Sequence, residues 1–338
     1  MLDADVARVL TAYPQQCQPD RVEALGSAGG FSGARFWRLS TAAGLMCLRR
    51  SPGEGQTAGE LRFVQSLLRH VARQGFLWVP TAHPTRDGGG WVDYGGFRWE
   101  LTPWMPGKAD FHQMPALEKL RAAMSALAGF HLAAASFSES ASTLGRSPGI
   151  GLRLLQLDRW RSGQAARLAR AIRPGVWPEL ARRAGRILKA FYAGADHLLH
   201  LLQGVANVEV PLQACIRDVW HDHVLFEGEK VSGLIDFGAV AIDNPSIDVA
   251  RLLGSLVGDD RAGWQDGLTA YQALRLMSAA ELAMVRAFDA SGVLMAGLNW
   301  LEWIYVEGRQ FENPVAVLAR VDAILHRLER LVDTPSGG

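Results

Sequence analysis

Two acidic residues inside one apolar stretch are the side chains of this sequence best suited to chemistry. Asp218 follows Ile216-Arg217, and Asp236 stands between Ile235 and Phe237 after a predicted hairpin turn. A charge beside apolar strand residues is costly unless it is paired or bound to a metal. Each carboxylate alone is explained well as a solvated turn residue. The two together favour phosphoryl transfer, in which one carboxylate accepts a hydroxyl proton and the other holds Mg²⁺.

The run His221-Asp222-His223 lies between these two carboxylates. Imidazole and carboxylate groups bind zinc well, and the two histidines share one face of an extended chain. A structural zinc site needs four ligands, and the sequence does not place a third and a fourth. Zinc binding is therefore an alternative interpretation of this run.

A glycine-rich segment precedes the second predicted strand and reads Gly26-Ser27-Ala28-Gly29-Gly30-Phe31-Ser32-Gly33. Glycines let the backbone approach a ligand and turn its N–H groups toward phosphate oxygens. The segment leads into a strand and lacks Gly-Lys-Ser/Thr, which excludes the dinucleotide-binding fingerprint and the P-loop. It is typical of a loop that covers phosphates between antiparallel strands, and the alternative is a flexible turn.

A basic residue ends the following strand, in Cys47-Leu48-Arg49-Arg50. Adjacent strand residues point to opposite faces, so Arg49 faces a ligand if Leu48 points to the core. Its expected partner is Glu60, at the start of the next helix. The simpler interpretation is a solvated arginine pair and a first-turn glutamate stabilised by the helix dipole.

Short alternating segments separated by glycines between about 20 and 105 predict antiparallel strands. The clearest are Arg35–Leu39, Leu45–Leu48 and Phe97–Leu101. A hairpin turn is predicted at 41–44. One helix is predicted from Gly59 to Arg73, because leucine and valine recur there at helical spacing, and Gln74-Gly75 marks its end.

After residue 113 the pattern is mostly helical. The predicted helices span 117–135, 152–172, 177–202, 282–303 and 315–331. A β-rich island at 212–240 interrupts them and carries both candidate carboxylates. Trp300 and Trp303 lie at helical spacing and are predicted to be core residues rather than a substrate cage.

These patterns predict an α+β fold of two lobes. Residues 1–105 are expected to form an antiparallel β-sheet lobe with one helix, whose glycine-rich segment is the candidate cover for phosphates. Residues 106–334 form a mostly helical lobe with the catalytic and metal motifs, and 335–338 form a frayed tail. The connector near 102–107 is expected to border a cleft.

The composition of the whole chain limits its partners. The 338 residues carry a formal charge of only +1, which does not favour binding to nucleic acid or to an anionic membrane. The start, MLDADVARVL, does not resemble a signal peptide, and no apolar stretch approaches the ~20 residues that span a bilayer. Three cysteines without a C-x-x-C pair are typical of reduced thiols, so a cytoplasmic protein is predicted. The oligomeric state is not predicted.

The chain resembles the aminoglycoside phosphotransferase/choline kinase family, which is related to the protein kinases. That family has a His-Gly-Asp-x-x-x-x-Asn loop followed by an Ile-Asp-Phe-Gly metal motif. The matching segments here are Ile216-Arg217-Asp218 with His223, and Ile235-Asp236-Phe237-Gly238. A downstream family stretch is matched by Asn244-Pro245-Ser246-Ile247-Asp248-Val249-Ala250. The resemblance covers roughly residues 20–330 and implies the two-lobed protein-kinase-like fold.

The resemblance also implies an activity, namely transfer of the γ-phosphoryl group of ATP to a hydroxyl of a small molecule with the help of Mg²⁺. Asp218 would be the catalytic base, and Asp236 and His223 would bind the metal. The implied nucleotide-binding residues are Gly29, Gly30, Ser32, Arg49, Glu60, Thr102 and Trp104. The identity of the acceptor does not follow from the fold.

Three features depart from the family pattern: Ile216-Arg217 replaces His-Gly, Arg49 replaces Lys and His223 replaces Asn. Magnesium prefers oxygen to imidazole nitrogen, so Mn²⁺ is a second candidate metal, and a hydrogen bond to phosphate is another role for His223. The alternative function is a pseudokinase that binds nucleotide or acts as a scaffold with little transfer. A protein substrate is disfavoured, because no stretch like an activation segment follows Asp236.

Overall fold

The computed structural model describes residues 4–27, 33–52, 56–138, 143–175, 177–311 and 313–333. The chain divides into two compact units. The first unit combines Met1–Glu139 with His221–Val240, and the second combines Ser140–Trp220 with Ala241–Gly338. The lobe boundary at residue 105 stays a prediction, and the predicted tail at 335–338 lies outside the described residues.

Strands dominate the chain up to residue 103 and helices dominate it from residue 117, as the sequence patterns predict. The strands are β1 (Pro19–Gly26), β2 (Arg35–Thr41), β3 (Gly44–Arg50), β4 (Val92–Tyr94), β5 (Phe97–Pro103), β6 (Thr143–Arg146), β7 (Glu209–Cys215), β8 (Val224–Glu227), β9 (Lys230–Leu234) and β10 (Ala241–Asp243). The helices are α1 (Ala4–Leu10), α2 (Ala58–Arg73), α3 (Leu117–Ala134), α4 (Pro148–Arg159), α5 (Ala165–Ala171), α6 (Pro178–Ala206), α7 (Ser246–Val257), α8 (Arg261–Gln272), α9 (Ala279–Tyr305) and α10 (Pro314–Asp333). An antiparallel sheet in the N-terminal part and a helical C-terminal part confirm the predicted α+β class.

The first unit contains a five-stranded antiparallel sheet in the order β1-β2-β3-β5-β4. The β2–β3 hairpin turns where the sequence predicts, with Thr41 opposite Gly44 and Gly44 at a φ of 108°. On the other side of β3, Arg49 lies opposite Glu100 of β5. Side chains directly opposite on neighbouring strands interact, so this register places a cation beside a carboxylate.

One face of this sheet packs against α1 and forms a hydrophobic core. The core consists of Val6, Val9, Leu10, Tyr13, Cys17, Trp37, Leu39, Met46, Leu48, Trp99 and Leu101. Because side chains alternate along a strand, the burial of Leu48 turns Arg49 to the opposite face, as expected.

Helix α2 begins at a capping box. The Thr57 hydroxyl accepts the backbone N–H of Glu60, and the Glu60 carboxylate accepts the backbone N–H of Thr57. Leu61, Leu67 and Leu68 on its apolar face are buried. The helix ends at Arg73, and Gly75 at a φ of 91° supplies the left-handed residue that the sequence predicts there.

A two-stranded hairpin, β8 with β9, also belongs to the first unit. Its second strand ends at Leu234, before the end of the β-rich island predicted at 212–240. The reason is local: Asp236 has a φ of 61°, which no strand residue adopts.

The second unit contains a three-stranded sheet, in the order β10-β7-β6, and helices α4 to α10. The helix predicted at 152–172 is interrupted by a π-helical segment at Trp160–Gln164, where Gly163 has a φ of 131°. Helices α1, α7 and α8 were not predicted. Trp300 is buried in α9, as expected of a core residue. None of the described helices combines the length and apolar character needed to cross a membrane.

Candidate active site

The loop that carries Asp218 is held by a buried carboxylate of the second unit. One Asp248 oxygen accepts the backbone N–H of Ile216 at 2.7 Å, and the other accepts the backbone N–H of Arg217 at 2.5 Å. Asp248 has no exposed surface. Hydrogen bonds to a buried carboxylate are strong, so they fix the path of the backbone immediately before Asp218.

Arg217 itself adopts the left-handed conformation, with a φ of 67°. This conformation costs about 1–2 kcal/mol for a residue with a β-carbon. Glycine, which the family motif has at this position, adopts it without steric cost. The hydrogen bonds from the loop to Asp248 offset the cost in this chain.

The Asp218 side chain is half-exposed and pairs with Arg251, whose Nη2 lies 2.9 Å from the Asp218 Oδ1. Arg251 and Asp248 both belong to α7 and are three residues apart, so they occupy neighbouring positions on the helix surface. Helix α7 therefore positions both the backbone and the carboxylate of this loop.

In the first unit, the hairpin brings together the two predicted metal ligands. The backbone N–H of Ile235 donates to the carbonyl of His223 at 3.0 Å. This pairing places His223 Nε2 3.6 Å from the Asp236 Oδ2. The other Asp236 oxygen accepts the backbone N–H of Gly238 at 3.3 Å. One carboxylate and one imidazole thus face each other at a strained turn.

Arg49 reaches the same turn from the sheet. A β-carbon placed on Gly238 would lie 3.8 Å from the Arg49 Nη2 and 3.2 Å from the Asp236 Oδ1. The carbonyl of Gly238 accepts a hydrogen bond from the Gln56 amide at 3.0 Å. The Arg49 guanidinium therefore lies close to the metal motif.

The carboxylate partner of Arg49 is Glu100. The Arg49 Nη1 lies 3.9 Å from the Glu100 Oε2, and the Gln65 amide donates to the Glu100 Oε1 at 2.7 Å. Burial raises the pKa of Glu100, while the Gln65 hydrogen bond and the charge of Arg49 oppose that shift. The arginine is thus held between strand β5 and the metal motif.

The expected pairing of Glu60 with Arg49 is corrected by this arrangement. Both Glu60 and Thr57 are engaged in the capping box of α2, and the hydrogen bonds from Thr57 lower the pKa of Glu60. A glutamate in the third helical position satisfies the free N–H groups of its own helix end. The sheet register supplies Arg49 with Glu100 instead.

The predicted connector residues continue the sheet. Thr102 lies in β5 opposite Cys47, and the backbone N–H of Trp104 donates to the carbonyl of Leu45 at 3.0 Å. That donor is therefore engaged, and contact of Thr102 and Trp104 with adenine stays a prediction. Gly29, Gly30 and Ser32 lie outside the described residues.

The two acidic residues belong to different compact units, Asp218 to the second and Asp236 to the first. Their convergence on one nucleotide stays a prediction. In the described part of the chain, neither His221 nor His223 belongs to a group of three or more potential metal ligands, so nothing there supports the zinc interpretation.

Three residues of this site were not predicted in their roles: Glu100, Asp248 and Arg251. For Glu100 the alternation around Trp99 and Leu101 was a usable signal, because it turns Glu100 to the face that Arg49 occupies. For Asp248 the downstream family stretch was a signal, although it did not reveal the contact with the loop. Arg251 required α7, which the sequence patterns did not reveal as a helix.

Comparison with known proteins places these motifs in a family. Residues 23–288 match the phosphotransferase enzyme family, and this span includes most of the chain. A homoserine kinase from Methylocella silvestris is 28% identical over 321 residues, which are 92% of this chain and 89% of the relative.

Solved structures share the fold at low sequence identity. A spectinomycin phosphotransferase in complex with ADP and spectinomycin has a TM-score of 0.67 at 10% identity, with 92% of each chain covered. An aminoglycoside phosphotransferase from Alicyclobacillus acidocaldarius has a TM-score of 0.61 at 18% identity, with 96% of this chain and 93% of that chain covered. The chain accordingly belongs to the phosphotransferase enzyme family, as a small-molecule kinase that phosphorylates a hydroxyl.

Proposed function

We propose that this kinase uses ATP and a divalent cation, with Asp218 orienting the acceptor hydroxyl and Asp236 and His223 holding the cation. Backbone strain is the observation that carries the proposal. Among the described non-glycine residues, positive φ occurs at Arg217 and at Asp236. Strained residues persist where surrounding structure enforces them, and they cluster at active sites. Both strained positions lie in the two motifs that phosphoryl transfer requires.

Asp218 is suited to accept a hydrogen bond from an acceptor hydroxyl. Its side chain is half-exposed, and the ion pair with Arg251 fixes its orientation. A carboxylate in this role aligns the hydroxyl oxygen for attack and takes its proton as the new P–O bond forms and the bond to the leaving ADP breaks. Such a group contributes about 10²–10⁴-fold to the rate.

Asp236 and His223 form a donor set that fits a divalent cation. The carboxylate oxygen suits Mg²⁺ and Mn²⁺ alike, whereas the imidazole nitrogen favours Mn²⁺. When bound, the cation neutralises charge on the nucleotide phosphates. The left-handed turn at Asp236 presents its carboxylate next to the imidazole.

Arg49 supplies a further positive charge for the phosphates. The Glu100 carboxylate lies beside its guanidinium and is itself held by the Gln65 amide. The guanidinium lies close to Gly238 of the metal motif. A guanidinium presents several donors to phosphate oxygens at once.

The relatives named homoserine kinase supply the first acceptor to test. Transfer is measured as ADP release with L-homoserine and a panel of hydroxylated metabolites, each with Mg²⁺ or Mn²⁺. Asp218→Asn should lower kcat by about 10²–10⁴-fold and leave the Kd for ATP nearly unchanged. The matched control is Asp158→Asn, because Asp158 is exposed on α4.

Nucleotide binding is measured separately by thermal unfolding, because a ligand of the folded state raises the Tm. A rise with ATP and metal but no turnover with any acceptor would favour the pseudokinase. No rise with either metal, or unchanged turnover in Asp218→Asn, would contradict the proposal.

A further inference from the structure

Three arginines of the second unit are grouped around the Asp218 loop. Arg217 directly precedes Asp218, and Arg251 forms an ion pair with it. The third is Arg153 on α4, a half-buried residue. Burial lowers the pKa of Arg153, and the nearby positive charges of Arg251 and Arg217 lower it further.

Three carboxylates lie near this group, and among the described residues none of them forms an ion pair with Arg153 or Arg217. Asp248 uses both of its oxygens for backbone N–H groups. Asp243 accepts hydrogen bonds from Ser147 and from the backbone of Asn244 through one oxygen, and its other oxygen is buried without a hydrogen-bond partner in the described part of the chain. Its charge interacts with those of Arg153 and Arg217 but, within that part, forms no ion pair with either. The third carboxylate, Asp218, forms an ion pair with Arg251.

Two guanidinium groups are therefore left without an ion pair. Among the described residues, Arg251 is in an ion pair but Arg153 and Arg217 are not. The Arg217 Nε is buried and has no hydrogen-bond partner there. A buried charged donor without a partner is costly, and a bound anion removes that cost.

We propose that Arg153 and Arg217 bind an anionic group of the phosphoryl acceptor, so that the acceptor is a small hydroxylated acid carrying a carboxylate or a phosphate. This inference rests on the proposed function, because it assumes that the acceptor hydroxyl lies at Asp218. Guanidinium groups bind both kinds of anion in a bidentate manner. The same charges repel cationic acceptors such as amino alcohols and aminoglycosides.

The nucleotide is the other anionic ligand of a kinase, and different residues serve it. Arg49 is the residue proposed above for the phosphates, and Asp236 and His223 are those proposed for the cation. The proposal therefore separates the two anions: a change in the arginine group should affect the acceptor and leave the affinity for ATP unchanged.

Matched probes test this division by calorimetry on the full chain without nucleotide. Glycerate, glycerol 3-phosphate and glycerol share one skeleton and differ in charge. L-homoserine and 3-amino-1-propanol differ by one carboxylate. The variants are Arg153→Gln and Arg217→Gly, and glycine suits the left-handed φ at 217. The control is Arg159→Gln, because Arg159 is exposed on the same helix as Arg153.

At least one anionic probe should bind about tenfold or more tightly than its uncharged or cationic analogue. Arg153→Gln and Arg217→Gly should each abolish most of that preference, while Arg159→Gln and the Kd for ATP with metal stay within about twofold. The preference for glycerate or for glycerol 3-phosphate then identifies the anion.

Equal binding of charged and neutral probes would overturn the inference. Equal effects of Arg153→Gln and Arg159→Gln on the affinity for anionic probes would also overturn it, as would a loss of affinity for ATP. Phosphoryl transfer is measured in parallel. If anions bind through Arg153 but no acceptor is phosphorylated, the proposed function fails and the anion site stands. If neutral acceptors are phosphorylated equally well by all variants, the proposed function stands and the anion site fails.

Discussion

The carboxylate of Asp248 accepts the backbone N–H of Arg217 at 2.5 Å and thereby holds a left-handed residue beside Asp218. The two residues are far apart in the sequence, and a buried helix start joins them. Because Asp248 also accepts the N–H of Ile216, one side chain determines the direction in which the chain leaves β7. A conservative substitution of Asp248 is therefore expected to affect both the stability of the protein and its turnover.

Asp248→Asn should lower both stability and turnover. An asparagine oxygen serves one of the two N–H groups, and its NH₂ group then opposes the other donor. Each lost hydrogen bond to a charged group costs about 1.5–3 kcal/mol, measured as the free energy of unfolding in urea. Asp158→Asn, at an exposed position of α4, is the control. Equal stability of the two variants would show that Asp248 does not hold the loop.

Arg217→Gly should leave the stability of the protein unchanged or raise it slightly. Glycine removes about 1–2 kcal/mol of left-handed strain but adds about 0.5–1 kcal/mol of backbone entropy in the unfolded chain. Arg217→Ala keeps the strain and loses the side chain, so its Tm should be lower than that of Arg217→Gly. A higher Tm for the alanine variant would contradict the backbone argument.

Glu100→Ala and Glu60→Ala should distinguish the carboxylate partner of Arg49 from the cap of helix α2, which the sequence alone does not distinguish. Loss of Glu100 removes the partner of Arg49, so the Kd for ATP should rise by about tenfold. Loss of Glu60 removes a helix cap, so the Tm should fall while the Kd stays constant. The opposite assignment of the two effects would restore Glu60 as the partner of Arg49.

The effect of Glu60→Ala should also depend on pH. Hydrogen bonds from Thr57 lower the pKa of Glu60, so the stabilisation is present above the pKa of the unfolded chain and is lost as the pH falls through the folded value. The difference in Tm between the wild type and the variant should therefore shrink below about pH 4.3, the ordinary glutamate value. A constant difference down to acid pH would exclude the ionised cap.

His223→Asn should change the metal preference. The amide oxygen suits Mg²⁺ better than imidazole nitrogen does, so the ratio of the Mg²⁺-supported to the Mn²⁺-supported kcat should rise severalfold. His223→Ala should lose activity with both ions. An unaltered ratio in His223→Asn would place His223 outside the metal site.

The cysteines should be unreactive in the folded protein. All three are free, and burial raises the pKa of Cys47 to about 11 and also raises those of Cys17 and Cys215. Thiolate is the reactive form, so a thiol reagent at about pH 8 should label none in the native state and all three in guanidinium chloride. Rapid native labelling of Cys47 would show that β3 opens.

The sequence by itself determined the kinds of elements and supplied the candidate residues of the site. Period-2 alternation predicted the sheet hairpin at Thr41–Gly44, helical spacing predicted α2 within one residue of its start, and two short motifs predicted Asp218 and Asp236 as the acidic residues of the site. These signals are local, because strand alternation, helical periodicity and turn chemistry depend on neighbours within a few residues.

Only the tertiary structure decided which partner each functional side chain has. Arg49 pairs with Glu100 because β3 and β5 are neighbours in the sheet in a particular register. Asp248 accepts the backbone N–H of Arg217 because the first turn of α7 packs against the loop. The left-handed backbone at Arg217 and Asp236 is decided in the same way. Contacts between residues distant in the chain depend on packing and register, and no local pattern encodes them.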